Sequence, residues 1–253
     1  MASTTIDGTV VLITGANRGI GRALTEALLQ RGARKVYAAA RDTTALRPLQ
    51  ERWEARLVPL CLDVTDAAQV AAAVGVAADI GLLINNAGVF EPADLLGAAI
   101  VDVARREMEV NYFGTLRMVQ SFADVLEQRG GTIVNVGSVV GLASIPIQPT
   151  YSASKAAQHS LTQAARAILA GRGVSVHGVY PGPVDTEMTR HLPPQFAKTA
   201  PSEVATRILD GIEAGSEDIF PDPFSVGFGE QFHASPKDAE RGMANAVAIP
   251  VGT

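Results

Sequence analysis

The chain has 253 residues, 47% of them hydrophobic and 19% charged, which suits one large globular domain or two small ones and not a disordered chain. Its net charge of −5 argues against a nucleic-acid-binding or anionic-membrane surface. The single cysteine, Cys61, excludes an intrachain disulfide and a cysteine-based zinc cluster, and in the apolar run 57–62 we expect a buried core thiol.

Short β-rich runs alternate with helical patterns along the chain. The predicted strands are 10–14, 35–40, 57–62, 81–85, 132–136, 174–180 and 218–220, and the predicted helices are 18–31, 67–78, 104–128, 150–169 and 202–214. Gly32 and Gly171 are the expected stops of the first and fourth helices. Most strand runs are continuously apolar, which is typical of parallel strands covered on both faces. The pattern predicts one α/β domain over residues 1–253, a Rossmann-type, doubly wound parallel sheet of about seven strands with helices on both faces.

The turn after the first predicted strand is rich in glycine. It reads Thr14-Gly15-Ala16-Asn17-Arg18-Gly19-Ile20-Gly21, a GxxxGxG variant of the dinucleotide fingerprint. Glycines let the backbone approach a pyrophosphate, whose charge is met by the N-terminus of the following helix. The loop therefore predicts a dinucleotide site built from Gly15, Asn17, Arg18, Gly19, Ile20 and Gly21.

The end of the second predicted strand bears on the choice between NADP and NAD. Arg41 can pair with a 2′-phosphate, and Arg18 offers a second cation. Asp42 can instead be interpreted as the acid that holds a ribose 2′-hydroxyl, displaced by one position, and Arg41 as a solvated loop charge. Two cations against one displaced carboxylate favour NADP(H) over NAD(H).

Tyr151 and Lys155 are four residues apart at the start of a predicted helix. Positions i and i+4 share a helix face, and a neighbouring cation lowers the pKa of a phenol. A tyrosine in that setting can donate and accept a proton near neutral pH. The spacing alone favours an ordinary helix, because only two positions are fixed, so the catalytic interpretation depends on the other motifs.

Together these motifs resemble the short-chain dehydrogenase/reductase family. The chain also has Asn85-Asn86-Ala87-Gly88 after the fourth strand, Asn111 in the next helix, Ser138 after the fifth strand, and Pro181-Gly182-Pro183-Val184-Asp185-Thr186 after the sixth. The order and spacing of these short motifs carry the resemblance, which covers roughly residues 9–189 and fades beyond them.

The resemblance implies the following roles. Tyr151 is the general acid and base, Lys155 holds the nicotinamide ribose and lowers the pKa of Tyr151, and Ser138 orients the substrate oxygen. Asn111 links Lys155 to solvent through a water or the helix backbone. The further cofactor contacts that it implies are Asp63, Val64, Asn86, Ala87, Gly88, Pro181, Gly182, Val184 and Thr186. The alternative for Asp63 is an N-cap or turn acid, and the alternative for Asn86 is a residue that only braces the sheet.

The substrate is expected to bind where the resemblance fades. Met188, Leu192 and Phe196 recur at four-residue spacing and predict the apolar face of a short helix in a lid over 186–200, which Pro193 and Pro194 interrupt. Ser138 and the apolar residues that follow it, Val139, Leu142, Ile145 and Ile147, are candidates for the opposite wall, although half of the apolar set can belong to the core. The tail 224–253 has no clear periodicity.

The sequence therefore predicts an NADP(H)-dependent carbonyl reductase or alcohol dehydrogenase acting on a small hydrophobic ketone, aldehyde or alcohol. One alternative is a reductase of 3-oxoacyl thioesters on a carrier protein. Such an enzyme needs a basic docking patch for the acidic carrier, and Arg105 and Arg106 are the only adjacent arginine pair in the sequence. The other alternative is a non-catalytic NADP-binding sensor. The four histidines lack metal-ligand spacing, so no metal is expected. The family resemblance implies a homotetramer, or at least a homodimer. Without a signal peptide or membrane helix in the sequence, a cytoplasmic location is expected.

Overall fold

A computed structural model describes residues 4–192 and 196–246. Its centre is a sheet of seven parallel strands in the order β3-β2-β1-β4-β5-β6-β7. The strands are β1 (Val10–Thr14), β2 (Lys35–Ala40), β3 (Leu57–Cys61), β4 (Leu82–Asn85), β5 (Thr132–Val136), β6 (Ser175–Val179) and β7 (Asp218–Ile219). The strand order reverses between β1 and β4, and ligands of such sheets bind in the crevice beyond that point.

Helices cover both faces of the sheet. They are α1 (Gly19–Gln30), α2 (Arg47–Trp53), α3 (Ala67–Val76), α4 (Ile100–Met108), α5 (Thr115–Glu127), α6 (Pro149–Ala170), α7 (Pro201–Glu213), α8 (Pro223–Ala234) and α9 (Pro236–Asn245). Leu24 of α1 and Ile208 of α7 belong to the core on one face, and Phe122 of α5 and Leu169 of α6 to the core on the other. None of the helices in the described ranges has the length and hydropathy that a membrane span requires.

The predicted α/β fold is confirmed, and all seven strands lie within two residues of their predicted bounds. Strands β1, β4 and β5 are buried at every position and consist mostly of apolar residues, as expected for parallel strands covered on both faces. The predicted helix 104–128 is divided: between α4 and α5 the segment Glu109–Gly114 is a π-helix. Helices α2, α8 and α9 were not predicted.

One local prediction needs correction, and the two predicted helix stops differ in conformation. Cys61 is exposed and not a core thiol, because it is the last residue of β3, which lies at the edge of the sheet. Gly32 ends α1 with a positive φ of 87°, as expected of a helix stop. Helix α6 also ends where predicted, with Gly171 as its C-cap at an ordinary φ of −66°, and Gly173, two residues later, takes the left-handed conformation at φ 71°.

Candidate active site

A groove of about 440 Å³ runs along the carboxyl ends of the central strands. Its lining includes most of the residues predicted for the cofactor: Gly15, Asn17, Arg18, Gly19, Ile20, Gly21, Arg41, Asp63, Val64, Asn86, Ala87, Gly88, Tyr151, Lys155 and Thr186. These side chains come from loops far apart in sequence, which the strand order brings to one edge of the sheet. The groove thus lies where open parallel sheets bind their ligands.

The glycine-rich loop needs its glycines for two separate reasons. Gly15 has a φ of 66°, a conformation that favours glycine. At Gly21 a Cβ atom would lie 2.1 Å from the carbonyl oxygen of Gly15, so no side chain fits. Helix α1 begins at Gly19, and Arg18 before it makes no side-chain capping bond to the first turn. The close backbone and the uncapped N–H groups together fit the phosphates of a dinucleotide.

Asn86 and Asp63 hold the loops that line the groove. The side-chain amide of Asn86 donates to the carbonyl oxygens of Thr14, at 2.9 Å, and of Gly15, at 3.1 Å. Asp63 Oδ1 accepts hydrogen bonds from the backbone N–H of Thr65 at 2.9 Å and from its hydroxyl at 2.7 Å. Both residues therefore make the structural contacts that the sequence left open as alternatives, while also lining the groove.

The charged residues at the end of β2 differ in what they contact. Asp42 Oδ1 accepts the backbone N–H of Thr44 at 2.8 Å, and that hydrogen bond holds the pKa of the Asp42 carboxyl below its usual value. Arg41 is exposed and forms no ion pair within the described part of the chain. Arg18 donates to Glu187 Oε2 at 2.6 Å. Arg41 is consequently the more available cation for an anionic group.

A second, smaller cavity of about 110 Å³ adjoins the groove. Six of the eight residues proposed for the substrate line it: Ser138, Val139, Ile145, Met188, Leu192 and Phe196. Pro181, Gly182 and Val184, predicted to contact the cofactor, line this cavity and not the groove. Leu142 and Ile147 do not line the cavity and pack beside it in a hydrophobic cluster. The cavity wall is mostly apolar.

The predicted lid helix is absent from the described residues of 186–200. Only a single helical turn, Glu187–Thr189, forms there, and Pro193 and Pro194 lie outside the described residues. The Thr189 hydroxyl donates to the carbonyl oxygen of Val184, and the backbone N–H of Thr186 donates to that hydroxyl at 3.3 Å. These local bonds hold a turn where the four-residue spacing predicts a helix.

Tyr151 lines both the groove and the cavity. Lys155, one turn later in α6, has its Nζ 5.8 Å from the centre of the Tyr151 ring. Nζ donates to the carbonyl oxygen of Val136 at 3.0 Å and to Gln158 Oε1 at 2.9 Å. Burial lowers the pKa of Lys155 to about 7, whereas burial, followed by the Glu107 carboxylate, raises the pKa of Tyr151. The pKa of Tyr151 in this arrangement is thus shifted opposite to the expected direction, because burial and the Glu107 carboxylate both raise it.

Asn111 lies in the π-helical segment and is fully buried. Its side chain pairs with both backbone groups of Val89, each at 2.9 Å, and donates to the Ser154 hydroxyl at 2.9 Å. The backbone carbonyl oxygen of Asn111 accepts a hydrogen bond from the Thr115 hydroxyl at 2.9 Å. The side chain of Asn111 thus joins the loop after β4 to α6, while its backbone carbonyl bonds to Thr115.

The segment that carries the loop, the groove and the Tyr151–Lys155 pair also matches a known sequence profile. Residues 9–196 match the family described as short chain dehydrogenase. The chain belongs to this family. The match covers more than half of the chain and ends near the residues where the predicted resemblance fades.

Individual short-chain dehydrogenases are similar to most of the chain. The 3-oxoacyl-[acyl-carrier-protein] reductase FabG of Vibrio harveyi is 34% identical over 221 residues, which are 85% of this chain and 90% of the relative. Sorbitol dehydrogenase of Cereibacter sphaeroides is 36% identical over 202 residues, or 76% of this chain and 77% of the relative. The crystal structure of a short chain dehydrogenase from Burkholderia cenocepacia J2315 in complex with NADP has a TM-score of 0.88 and 41% identity, covering 95% of this chain and 99% of that one.

Further residues of the present chain line the smaller cavity, although the sequence analysis did not propose them. Among them are Phe90, Gln148, Phe224 and Met243. The Phe90 ring lies edge-on to Tyr151, with centroids 5.6 Å apart, and stacks on His191 at 4.5 Å. Met243 comes from α9, so the C-terminal helices help to form the cavity. A usable signal was present for both helices: Asp222 and Ser235 cap α8 and α9, and a proline follows each.

Glu107 was also missed, and it lies behind the site. The side chain is fully buried on α4, Oε1 accepts the backbone N–H of Glu91 at 2.9 Å, and Oε2 has no partner within the described chain. Burial raises the pKa of this carboxyl. No sequence pattern pointed to Glu107, because its burial depends on the packing of α4 against α6.

Two histidines bond to groups within the fold. His159 Nδ1 lies 2.7 Å from the Tyr180 hydroxyl, and His177 Nδ1 lies 2.6 Å from the carbonyl oxygen of Ser216. Burial lowers the pKa of both histidines. Over residues 4–192 and 196–246, no cluster of three or more His, Cys, Asp or Glu side chains has the arrangement of a metal site.

Proposed function

We propose that this short-chain dehydrogenase interconverts a hydrophobic ketone or aldehyde and the corresponding alcohol with NADP(H). The observation that carries the proposal is the position of Tyr151, which lines both the groove beside the glycine-rich loop and the apolar cavity. A proton donor at that junction reaches a carbonyl oxygen held in the cavity beside a nicotinamide held in the groove. The Burkholderia cenocepacia relative, 41% identical, was crystallised in complex with NADP, which supports the choice of cofactor.

The residues of this chain transfer the proton and orient the substrate oxygen. The cofactor, when bound, supplies the hydride. In reduction, Tyr151 donates its phenolic proton to the carbonyl oxygen, and a charged Lys155 stabilises the phenolate that remains. The Ser138 hydroxyl makes only long bonds, of 3.4 Å, to Pro181 and Val140, so it can donate to the same substrate oxygen. In oxidation the phenolate accepts the alcohol proton.

Cofactor binding is assigned to the glycine-rich loop, the N-terminus of α1 and the ends of the central strands. Arg41 pairs with the 2′-phosphate, and Arg18 contributes less because Glu187 already neutralises it. Pro181, Gly182, Val184 and Thr186 shape the junction on the nicotinamide side, between groove and cavity.

The second candidate is reduction of a 3-oxoacyl thioester on a carrier protein. The identity with FabG of Vibrio harveyi favours it. The electrostatics are less suitable, because an acidic carrier needs a free basic patch. Arg106 donates to Glu91 at 2.6 Å and Arg105 to Asp102 at 3.1 Å, so the adjacent arginine pair is already neutralised. Sorbitol, which the name of the Cereibacter sphaeroides relative gives as its substrate, is a polyol and matches the apolar cavity poorly.

A substrate panel monitored by NADPH absorbance tests these assignments. The panel contains hydrophobic ketones and aldehydes, a short 3-oxoacyl thioester and a ketose, each with NADPH and NADH. We expect the highest kcat/KM with a hydrophobic carbonyl and NADPH. A preference for the thioester would transfer the assignment to the second candidate. Cofactor binding without turnover of any substrate would favour a sensor.

A further inference from the structure

A chain of buried hydrogen bonds leads from Lys155 into the protein interior. Lys155 Nζ donates to Gln158 Oε1 at 2.9 Å, and Gln158 Nε2 donates to the Thr115 hydroxyl at 3.0 Å. That hydroxyl donates to the carbonyl oxygen of Asn111 at 2.9 Å. All four residues are buried, with Gln158 only 1% exposed. The protein alone therefore connects the Lys155 ammonium to the π-helical backbone.

The direction of the chain is fixed by donor and acceptor counts. The Thr115 hydroxyl has one hydrogen, and it goes to Asn111 because a carbonyl oxygen cannot donate. The same hydroxyl can then only accept from Gln158, so the NH₂ end of that amide faces Thr115. The carbonyl end is left facing Lys155, where it accepts from the ammonium. The opposite orientation would set an NH₂ group against a cation.

We propose that Gln158 is a positioning residue for the Tyr151–Lys155 pair, which holds the Lys155 ammonium in place and stabilises its charged form. The proposal rests on the proposed function, since it assigns Gln158 a part in the same reaction. An ammonium has three hydrogens. Val136 and Gln158 accept two of them, which leaves one for a group in the groove.

The surroundings of Lys155 make each acceptor important. Burial lowers the pKa of Lys155 to about 7, so its charge depends on the groups that bond it directly. The titratable groups facing the pair are few: Tyr151 lies on the same helix, and Glu107 acts on Tyr151 from α4. Val136 supplies its acceptor from β5 through the backbone, so Gln158 is the side chain that sequence change can remove.

The test replaces Gln158 with methionine, which has similar length and no strong acceptor. A lost hydrogen bond to a charged group corresponds to about one to two pKa units. We expect the pKa of Lys155 to fall by about that amount in Gln158→Met. The pH at which the kcat of reduction declines should fall equally, with KM little changed. Gln163→Met is the matched control, because Gln163 is exposed on the same helix, and it should leave both quantities unchanged.

The pKa of Lys155 can be measured without turnover. The chain has four lysines, Lys35, Lys155, Lys198 and Lys237, so an NMR titration of protein labelled with carbon-13 at lysine Cε resolves them, with Lys155→Arg as the assignment variant. If Gln158→Met does not fold, Thr115→Val removes the hydroxyl that orients the amide. It should shift the pKa in the same direction, and Thr115→Ser should restore it.

The outcomes separate the two proposals. An unchanged Lys155 pKa in folded Gln158→Met, or a shift equal to that of Gln163→Met, overturns the role of Gln158 even if the enzyme is an active reductase. A lowered Lys155 pKa in a protein that reduces no substrate of the panel supports the role of Gln158 in holding the cation and counts against the proposed function.

Discussion

Arg18 and Glu187 form an ion pair in the groove, with Nη1 2.6 Å from Oε2. The two side chains are 60% and 59% exposed, so the pair itself contributes little stability. Its consequence is for ligand binding, because a carboxylate already satisfies the cation that the glycine-rich loop offers. Arg41 has no such partner among the described residues, and it is therefore the main candidate for recognising a 2′-phosphate.

Arg41→Ala should weaken NADPH binding and leave NADH nearly unaffected. Charge-assisted hydrogen bonds contribute about 1.5–3 kcal/mol each, which corresponds to roughly 10- to 150-fold in affinity. Titration of both cofactors at fixed ionic strength measures the effect. Arg18→Ala should lower the affinity for NADPH less than Arg41→Ala does. Glu187→Gln should raise that affinity slightly, because it frees Arg18 from its ion pair.

Asp42→Asn distinguishes the two interpretations of the end of β2. Asp42 already accepts a hydrogen bond from the backbone N–H of Thr44, so we do not expect it to bind the ribose. Its negative charge then only repels the 2′-phosphate, and Asp42→Asn should leave NADPH binding unchanged or tighten it. A wild-type preference for NADH that disappears in Asp42→Asn would show that this carboxylate binds the ribose and that the cofactor assignment is wrong.

Tyr151→Phe should lower turnover by about 10²–10⁴-fold, the usual contribution of general acid–base catalysis. The phenyl ring keeps the edge-on contact with Phe90, so NADPH affinity should change little. Tyr180→Phe is the matched control: it also removes a buried hydroxyl, which bonds His159, but Tyr180 lines neither the groove nor the cavity. Steady-state kinetics of both variants measure the effect, and Tyr180→Phe should keep most of its turnover. Near-normal turnover in Tyr151→Phe would refute the assignment of Tyr151 as the proton donor.

The fold was predictable because its information is local. Strands such as β1 and β4 are continuous apolar runs, and the glycine-rich loop has a fixed place between a strand and a helix. The C-terminal helices were missed because α8 mixes Phe and Gly without periodicity, although Asp222 and Ser235 before prolines marked where both begin.

The site was predictable only in part. Ser138, Tyr151 and Lys155 belong to motifs, and the structure brings them to adjoining cavities. Gln158 and Glu107 belong to no motif, and their environment is created by contacts between α6, α4 and the π-helical segment. Burial also reverses the expected shift of the Tyr151 pKa, which no spacing rule could indicate.

The kcat of reduction should fall as pH rises through about 7, the pKa to which burial lowers Lys155. The raised pKa of Tyr151 keeps the phenol protonated through neutral pH, so the donor is present throughout. What is lost above that pH is the lysine charge that stabilises the developing phenolate. Lys155→Arg should be slower but should lack this decline, since a guanidinium stays protonated. A wild-type profile that is flat through neutral pH would contradict the assignment.

Glu107→Gln should stabilise the protein at neutral pH and have little effect near pH 4.5, the ordinary pKa of the group. Burial raises the pKa of Glu107 in the folded state, so the unfolded chain loses that proton first as pH rises. Stability is consequently lost between the unfolded and folded pKa values. Removing the charge should recover about 1–3 kcal/mol, or about 2–4 °C in Tm for each kcal/mol. Thermal unfolding at both pH values, with exposed Glu230→Gln as control, measures this gain; an equal effect at both would contradict it.

The last prediction concerns assembly through α6, the Tyr151-bearing helix. Of the small residues that favour close helix approach, Ala156 and Ala164 are exposed, whereas Ala165 packs in the core of its own chain and cannot take part. We expect α6 to pack against the helical segment that bears Asn111 across a two-fold axis. Ile168, 69% exposed on α6, and Phe113, 42% exposed in the π-helical segment, supply apolar area for this contact.

We expect a tetramer or dimer by light scattering at micromolar concentration. Ala164→Arg should dissociate it, because each two-fold contact would receive two opposed guanidinium groups. Val76→Glu, at an exposed apolar position on α3, should leave the mass unchanged. A wild-type protein with a monomeric mass would exclude this assembly, and dissociation by Val76→Glu but not by Ala164→Arg would place the contact on the α3 side of the molecule.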